Sequence, residues 1–482
     1  MENFDVIIVG AGLSGINAAC HLRRYCPNLT FRIFEARSRI GGTWDLFRYP
    51  GVRSDSDMFT LGFSHFPWDC GKAIADGPSI LKYLEETARE NYLQQKISFS
   101  HRVLAANWSS DRSLWTLSIQ HENAGEHSQA SGRFLFLCTG YYDYDKGYTP
   151  EFKGLADFRG RCVHPQRWPE DLNYQDKKVV VIGSGATAVT LVPELAKKAQ
   201  HVTMLQRSPT YMINLPAENP IDAMVLRFLP KRLAHRFLRW RYIGLTMGFY
   251  LLTRISPKLA RAILVGRVER ELGASDNVRT HFRPRYDPWD QRLCVVPNGD
   301  LFHAVKSGKV AMETAEIDRF VEKGIRLRSG KALDADLVIT ATGFNLKFAG
   351  DVEICVDDRP IKLPDRVIFK GTMLDGIPNF AFTFGYTNAS WTLKSDLICR
   401  YICRTLLYMK QNSWRVCIPR RYSAASEKTN AIELTSGYVS RSIDQFPKQG
   451  RRSPWKIRQN YIMDLIGLRL RPIRDSELEF RP

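Results

Sequence analysis

The sequence predicts an α/β chain of two doubly wound units, the second inserted into the first, with a helical segment inside the insert. Three observations predict it. An apolar strand runs into a glycine turn and then a helix twice, over residues 4–25 and again over 179–198. Two further apolar strands, 134–137 and 337–340, end in the related tripeptides Cys138-Thr139-Gly140 and Ala341-Thr342-Gly343 and bracket the second turn. Residues 211–290, between those brackets, interrupt the alternation with basic, helix-forming stretches.

In the first unit, residues 4–9 are an expected strand, 10–15 a turn, 16–25 a helix and 31–34 a second strand ending at Glu35. The turn reads Gly10-x-Gly12-x-x-Gly15. Glycines there let the backbone approach a pyrophosphate at the helix N-terminus, and a carboxylate at the end of the next strand accepts hydrogen bonds from a ribose diol. An acid at residue 35 suits a ribose without a 2′-phosphate, hence FAD or NAD. The second unit restarts with a strand at 179–182, a helix at 187–198 and a strand at 202–205. Its turn, Gly183-x-Gly185-x-x-Ala188, is followed by Gln206-Arg207-Ser208 where an acid would otherwise stand. Arg207 can pair with a 2′-phosphate and Ser208 can hydrogen-bond it, so NADPH is favoured over NADH. The expectation is therefore two Rossmann-like dinucleotide-binding domains, for FAD and NADP, with the NADP domain inserted in the FAD domain. The expected boundaries are 1–145 for the first part of the FAD domain, 146–210 and 291–343 for the NADP domain, 211–290 for the helical insertion, and 344–482 for the second part of the FAD domain with a C-terminal closure.

Composition narrows the function classes. Ten cysteines are scattered with no CxxC pair and no Cys/His ligand cluster, which disfavours structural zinc and a dithiol redox centre and suits a reducing cytoplasm. No metal is expected. The N-terminus enters a strand at once, without the pattern of a signal peptide, and the best apolar run, 242–252, is about half of the roughly 20 residues that span a bilayer. The net charge of +19 asks for an anionic partner. Much of it lies in residues 227–270, which read either as helices on an anionic membrane surface or as an insertion with a solvated basic face. Nucleic acid is disfavoured, because no recognition motif accompanies the charge.

The most specific signals lie between the two turns. Residues 41–55 combine Gly42-Thr43-Trp44-Asp45-Leu46 with Tyr49-Pro50-Gly51 and Arg53-Ser54-Asp55, and then comes Phe158-x-Gly160-x-x-x-His164-x-x-x-Trp168-Pro169. In these two stretches the chain resembles the Baeyer–Villiger monooxygenases among the class B flavoprotein monooxygenases. The second stretch matches that family's FxGxxxHxxxW[PD] fingerprint at every fixed position; N- and S-oxygenating relatives usually end it differently. The resemblance runs over nearly the whole chain. Residues 44–50, 289–294 and 385–392 are most like the mycobacterial members that activate thioamides such as ethionamide.

The resemblance implies roles residue by residue. Gly10, Gly12, Ser14, Gly15, Glu35, Gly42, Thr43, Trp44, Asp45, Leu46 and Asp55 fall where the family holds FAD. Val103, read as following a strand near Phe99, matches a backbone contact to adenine. Arg53, Ser54, Asp55, Gly183, Ser184, Gly185, Ala186, Thr187, Ala188, Val189, Arg207 and Ser208 fall where it holds NADP. Phe158, Gly160, His164 and Trp168 belong to the hinge, with a positional role for the histidine. Arg292 aligns with the family arginine next to the flavin and is the expected catalytic residue, with Asp55 as the partner that orients it. The chemistry asks for the same group: the family's oxidant is an anionic peroxide and its attack on a ketone builds a second anion, which a guanidinium stabilises without losing its proton. One departure is Gln291, where many members carry Lys, so NADPH preference leans on Arg207.

The implied activity is NADPH-driven insertion of one oxygen of O2 into ketones, giving esters or lactones, and oxidation of sulfur compounds such as thioamides and thioethers. Three competing readings stay open at this point: an N- or S-oxygenating flavin monooxygenase without ketone activity, a flavin-dependent NADPH reductase, and a non-catalytic NADP-binding protein. Neither the physiological substrate nor the oligomeric state is legible in the sequence.

Overall fold

The computed structural model describes residues 2–122, 125–421 and 427–482; Met1, residues 123–124 and residues 422–426, which fall in the first and last predicted segments, lie outside them. The opening strand, Glu2–Val9, shows how one short run builds two cores. Val6 and Ile8 point to one face, against the helices Leu13–Tyr25 and Trp391–Gln411. Ile7 and Val9 point to the other, where Trp108 and Trp115 are fully buried. Side chains alternate along a strand, so four consecutive apolar residues serve both faces of a covered parallel sheet, each stabilising the fold by about 1.5–3 kcal/mol. The strand Lys178–Ile182 repeats the device, with Val179 and Val181 on one side and Val180 and Ile182 on the other.

Around Glu2–Val9 the first sheet pairs Phe31–Phe34 and His127–Leu137 in parallel, and Phe380–Phe382 lies parallel to the latter. An antiparallel meander, His101–Ser109 with Leu114–His121 and His127–Leu137, extends it, and Glu353–Val356 joins that edge. The second sheet is five-stranded and all parallel: Val310–Thr314, His201–Gln206, Lys178–Ile182, Leu337–Thr340 and Arg161–Val163, in that order. The first sheet thus takes strands from both sides of the segment that forms the second.

Register explains the two Thr-Gly tripeptides. Val9 pairs with Leu137, which sets Cys138 beside the first glycine turn, and Ile182 pairs with Thr340, which sets Ala341 beside the second. A Cβ on Gly10 would lie 2.7 Å from the carbonyl oxygen of Cys138, and one on Gly183 would lie 2.2 Å from that of Ala341. Both glycines also have positive φ, +102° and +136°, so each turn needs glycine for backbone conformation and for close approach.

Several element boundaries differ from the sequence reading. The first helix begins at Leu13, three residues early, because the glycine turn is already its cap. The second, Ala186–Leu195, stops short of 198 in a series of turns. Val103 sits inside the strand His101–Ser109 rather than after a strand, buried and paired with Ile119. The basic insertion is not a simple pair of helices. It has four, Pro220–Phe228, Lys231–Ile255, Pro257–Leu272 and Asp276–Phe282, preceded by the strand Met212–Leu215. Prolines punctuate it: Pro220 and Pro257 occupy first turns, where the missing N–H costs nothing, and Pro230 precedes the long helix. That helix reaches across to the first unit. Tyr242 stacks on Phe59, with ring centroids 5.4 Å apart. Arg239 donates to the carbonyls of Phe59 and Gly62 and pairs with Asp396 at 2.8 Å.

Candidate active site

Both glycine turns open onto one cavity of about 250 Å³. Gly12, Leu13 and Ser14 line it from the first turn, and Ala186 and Thr187 from the second. The two helices start at Gly12 and Gly185 with no side-chain cap, so their first amides lack intrahelical acceptors. A Cβ at Gly185 would meet nothing within 4 Å. Two uncapped, positive helix ends that face one cavity are what dinucleotide phosphates need.

Loops bring in the charged groups. Arg292 lies two residues before the strand Cys294–Pro297, and Asp55 precedes the short helix Met58–Leu61. Their side chains meet at 3.2 Å, Nη2 to Oδ2, each about one third exposed, and both line the cavity. The carboxylate beside it holds the guanidinium pKa well above its ordinary value, against the opposing effect of burial. Arg292 therefore stays cationic at any working pH. Tyr438 lines the same cavity, and burial raises the pKa of its hydroxyl.

The remaining wall is aromatic. The Tyr141 hydroxyl donates to that of Tyr142 at 3.2 Å, and burial pushes the Tyr142 hydroxyl up to about 12. Tyr141 stacks on Trp391 with centroids 5.3 Å apart, and the Trp391 Nε1–H donates to Ser14 Oγ at 2.8 Å. Thr43 Oγ1 and the Tyr144 hydroxyl lie 3.3 Å apart. Trp44, Phe384 and Tyr386 complete this side. Tyr141, Tyr142, Tyr144 and Tyr438 were not singled out from sequence. The first three directly follow the Cys138-Thr139-Gly140 turn, and the register of that strand end with the glycine turn was the signal that could have found them. Tyr438 comes from a remote segment with no local pattern.

Most of the other predicted residues stand around the cavity rather than in its wall. Glu35 is buried at the end of Phe31–Phe34; its Oε2 accepts from the Ala11 amide at 2.6 Å and Oε1 from the Arg37 amide at 2.8 Å. Burial raises its pKa, and the amides hold it in place with lone pairs to spare. Asp45 is buried between Arg37 and Arg48 in two ion pairs, with Leu46 packed at the edge of the second core. Arg53 and Ser54 are the exceptions and line the cavity, but Arg53 is held by both oxygens of Asp300 and the Ser54 hydroxyl donates to the carbonyl of Ser56. Gly15 packs against the Gly10 carbonyl and Gly42 against Gly12, while Ala188 and Val189 are buried in their helix. Ser184 Oγ bonds the carbonyl of Ser208 at 3.1 Å, which ties the second turn to the exposed pair Arg207 and Ser208.

Phe158, Gly160, His164 and Trp168, expected at a hinge, are apart from the cavity wall. The His164 Nε2 lies 3.2 Å from the carbonyl oxygen of Gly343, and its ring fills the space where a Cβ on Gly147 would stand. Burial lowers its pKa. Phe158 packs on Phe320 in the second unit, the Gly160 backbone lies against the Phe158 ring and the Asp336 carbonyl, and Trp168 lies against Tyr174. One further cluster, His21, His65 and Asp396, has metal-ligand spacing, but Arg239 already neutralises its carboxylate.

Over residues 4–369 the chain matches the flavin-binding monooxygenase-like family. It is 48% identical to the FAD-containing monooxygenase EthA of Mycolicibacterium smegmatis over 99% of this chain and 97% of that one. It is 49% identical to EthA of Mycobacterium tuberculosis, over 99% and 98%. Among solved structures it resembles an oxidised steroid monooxygenase bound to NADP, with a TM-score of 0.72 and 25% identity over 88% of this chain and 89% of that one.

Proposed function

This chain belongs to the flavin-binding monooxygenase-like family and is a flavin monooxygenase using FAD and NADPH; from that premise we propose that it inserts one oxygen atom of O2 into ketones, giving esters or lactones, and oxidises soft sulfur compounds at the same site. The balance is ketone, O2, NADPH and a proton going to ester, NADP⁺ and water. Bound FAD supplies the two-electron chemistry that splits O2 between substrate and water. One observation carries the reading: the two uncapped helix ends and the Arg292–Asp55 pair share a single cavity.

The residues fit both cofactors. The amides at Gly12 to Ser14, with Glu35 behind them, would hold the FAD pyrophosphate and ribose, and Gly42 to Leu46 would face the ring system. The amides at Ala186 and Thr187 would hold the NADPH pyrophosphate, with Arg207 and Ser208 on the 2′-phosphate.

At the reacting carbon, Arg292 holds negative charge. Addition of an anionic oxidant to a ketone carbonyl puts a full charge on the former carbonyl oxygen, and a fixed guanidinium in a partly dry site stabilises it. Asp55 keeps the guanidinium from swinging away. The aromatic wall of Tyr141, Tyr142 and Trp391 excludes water, which suppresses loss of the oxidant as hydrogen peroxide. Sulfur attacks through its lone pair and builds no oxyanion on the substrate; the apolar wall supports that second class.

The test is anaerobic reduction of the holoenzyme by NADPH, followed by air and a simple ketone or thioether, in wild type and Arg292→Ala. Ester and sulfoxide from wild type, with hydrogen peroxide alone from a variant that reduces normally, supports the reading. Sulfoxide without ester makes the chain a sulfur or nitrogen oxygenase. Reoxidation with no oxygenated product makes it a reductase.

A further inference from the structure

Apart from Tyr92, every prominently exposed large apolar side chain among the described residues lies in two segments, 221–259 and 462–470. Soluble surfaces carry such residues singly; a contiguous group marks a surface that meets something apolar. On the helix Lys231–Ile255 they fall at helical spacing. Leu233, Phe237, Trp240, Leu251 and Ile255, 45–73% exposed, with Gly244 and Gly248 between, form one stripe. The opposite side of the helix, with Ala234 and Leu238, is buried against Phe59. Phe228, at the end of the preceding helix, is 73% exposed.

The second segment joins the same surface. The Trp240 ring meets Tyr461 edge-on with centroids 5.9 Å apart, and Ile462, Ile466 and Leu470 continue outward from there. Inward, the carboxylate of Asp464 takes a hydrogen bond from Tyr386, a residue of the cavity wall, at 2.7 Å. The second segment is therefore anchored to a buried polar base.

Charge decides what the patch faces. Residues 223–268 contain ten Lys and Arg and no Asp or Glu. Arg239, Arg241 and Arg261 are turned to Asp396, Asp222 and Asp287. Lys231 pairs with Asp69 and Arg254 with Asp290. Among the described residues no carboxylate lies within ion-pair distance of the exposed Arg227, Arg232, Arg236, Lys258 or Arg267, and Arg232 and Arg236 flank the stripe directly. Exposed Arg469 and Arg471 flank Leu470 in the second segment. Aromatic and aliphatic side chains in a stripe, edged by unpaired cations, fit the boundary between anionic headgroups and acyl chains. No helix among the described residues is long and apolar enough to cross a membrane.

We infer that this face, made by the helical insertion and the segment 461–470, docks on an anionic lipid bilayer without crossing it. A second copy of this chain would have to place the same unpaired cations against themselves.

The test is flotation of the full-length holoenzyme with vesicles of phosphatidylglycerol and phosphatidylcholine, and with phosphatidylcholine alone. Binding is expected only to the anionic vesicles, falling as salt rises from about 0.05 to about 0.5 M. The variant Phe228→Ser/Leu233→Ser/Phe237→Ser is expected to lower partitioning by on the order of tenfold or more, and Arg232→Glu/Arg236→Glu to lower it comparably. Tyr92→Ser, exposed elsewhere, is expected to float as wild type does. FAD content and turnover on a water-soluble substrate report that each variant is folded. The inference is overturned if wild type stays in the soluble fraction with anionic vesicles at low salt, or if the triple serine variant floats undiminished. It is also overturned if the wild type is a dimer in solution that the serine variant converts to monomer while neither binds vesicles.

Discussion

Asp55→Asn separates orientation from charge at the reacting centre. The variant keeps the shape of the side chain and removes the charge that faces Arg292 at 3.2 Å. At an effective dielectric of about 20, two unit charges at that distance interact by about 5 kcal/mol. With about a third of each side chain open to the cavity, solvent screening reduces the net coupling to about 1–2 kcal/mol. The oxygenation rate should then fall by about 5–30-fold, while flavin reduction by NADPH is unchanged. Arg292→Ala removes the stabilising charge itself and should cost about 100–1000-fold. Because Asp55 is argued to act through Arg292, the double variant Asp55→Asn/Arg292→Ala should be no slower than Arg292→Ala alone. Single-turnover measurement of product formed per NADPH consumed reads all three. A double variant slower by the product of the two single effects would refute the pairing as the reason for Asp55, and a wild-type rate in Asp55→Asn would refute its role altogether.

Three further outcomes follow from the same structure. Arg207→Ala should raise the KM for NADPH about 10–100-fold and leave that for NADH unchanged, since only a charge-assisted bond to the 2′-phosphate is lost; Gln291→Lys should lower the KM for NADPH, and steady-state kinetics with both nucleotides checks each. Gly183→Ala should abolish NADPH binding or soluble expression, because its Cβ would sit 2.2 Å from the Ala341 carbonyl oxygen at a φ of +136°, and normal flavin reduction by NADPH in that variant would contradict the packing argument. His65 has its pKa lowered by burial from 6.5 to about 4, so the native state takes up that proton less readily than the unfolded chain, and stability falls as pH drops across this window by about 3 kcal/mol. Asp57, pushed up to about 6 by burial, acts in the opposite sense, so the informative comparison is melting of His65→Phe against wild type between pH 7.5 and pH 4, about the span of the titration; equal loss in both would rule out His65 as a source of acid sensitivity.

What was legible in the sequence is what the backbone demands locally. Gly10 and Gly183 are readable because a positive φ and a carbonyl within Cβ distance admit no other residue, and the four-residue apolar runs around them mark a sheet covered on both faces. The positive φ and the apolar runs are local and leave a pattern in a linear string, whereas the carbonyls that press on these glycines belong to Cys138 and Ala341, far along the chain. The pairing of Asp55 with Arg292 was legible only through family resemblance, since no spacing rule links loops so far apart.

The tertiary structure decided the rest. It gathered Tyr141, Tyr142, Trp391 and Tyr438 into one wall, gave Arg53 to Asp300 and Asp45 to Arg37 and Arg48, and moved Val103 into the middle of a strand. It also chose between two faces of the helix Lys231–Ile255. That helix carries apolar residues on both sides, so its sequence alone does not say which side is covered; Phe59 and its neighbours cover Ala234 and Leu238, and the stripe from Leu233 to Ile255 is left facing outward. Which neighbour a side chain meets is settled by the packing of segments hundreds of residues apart, and that information belongs to no local stretch of chain.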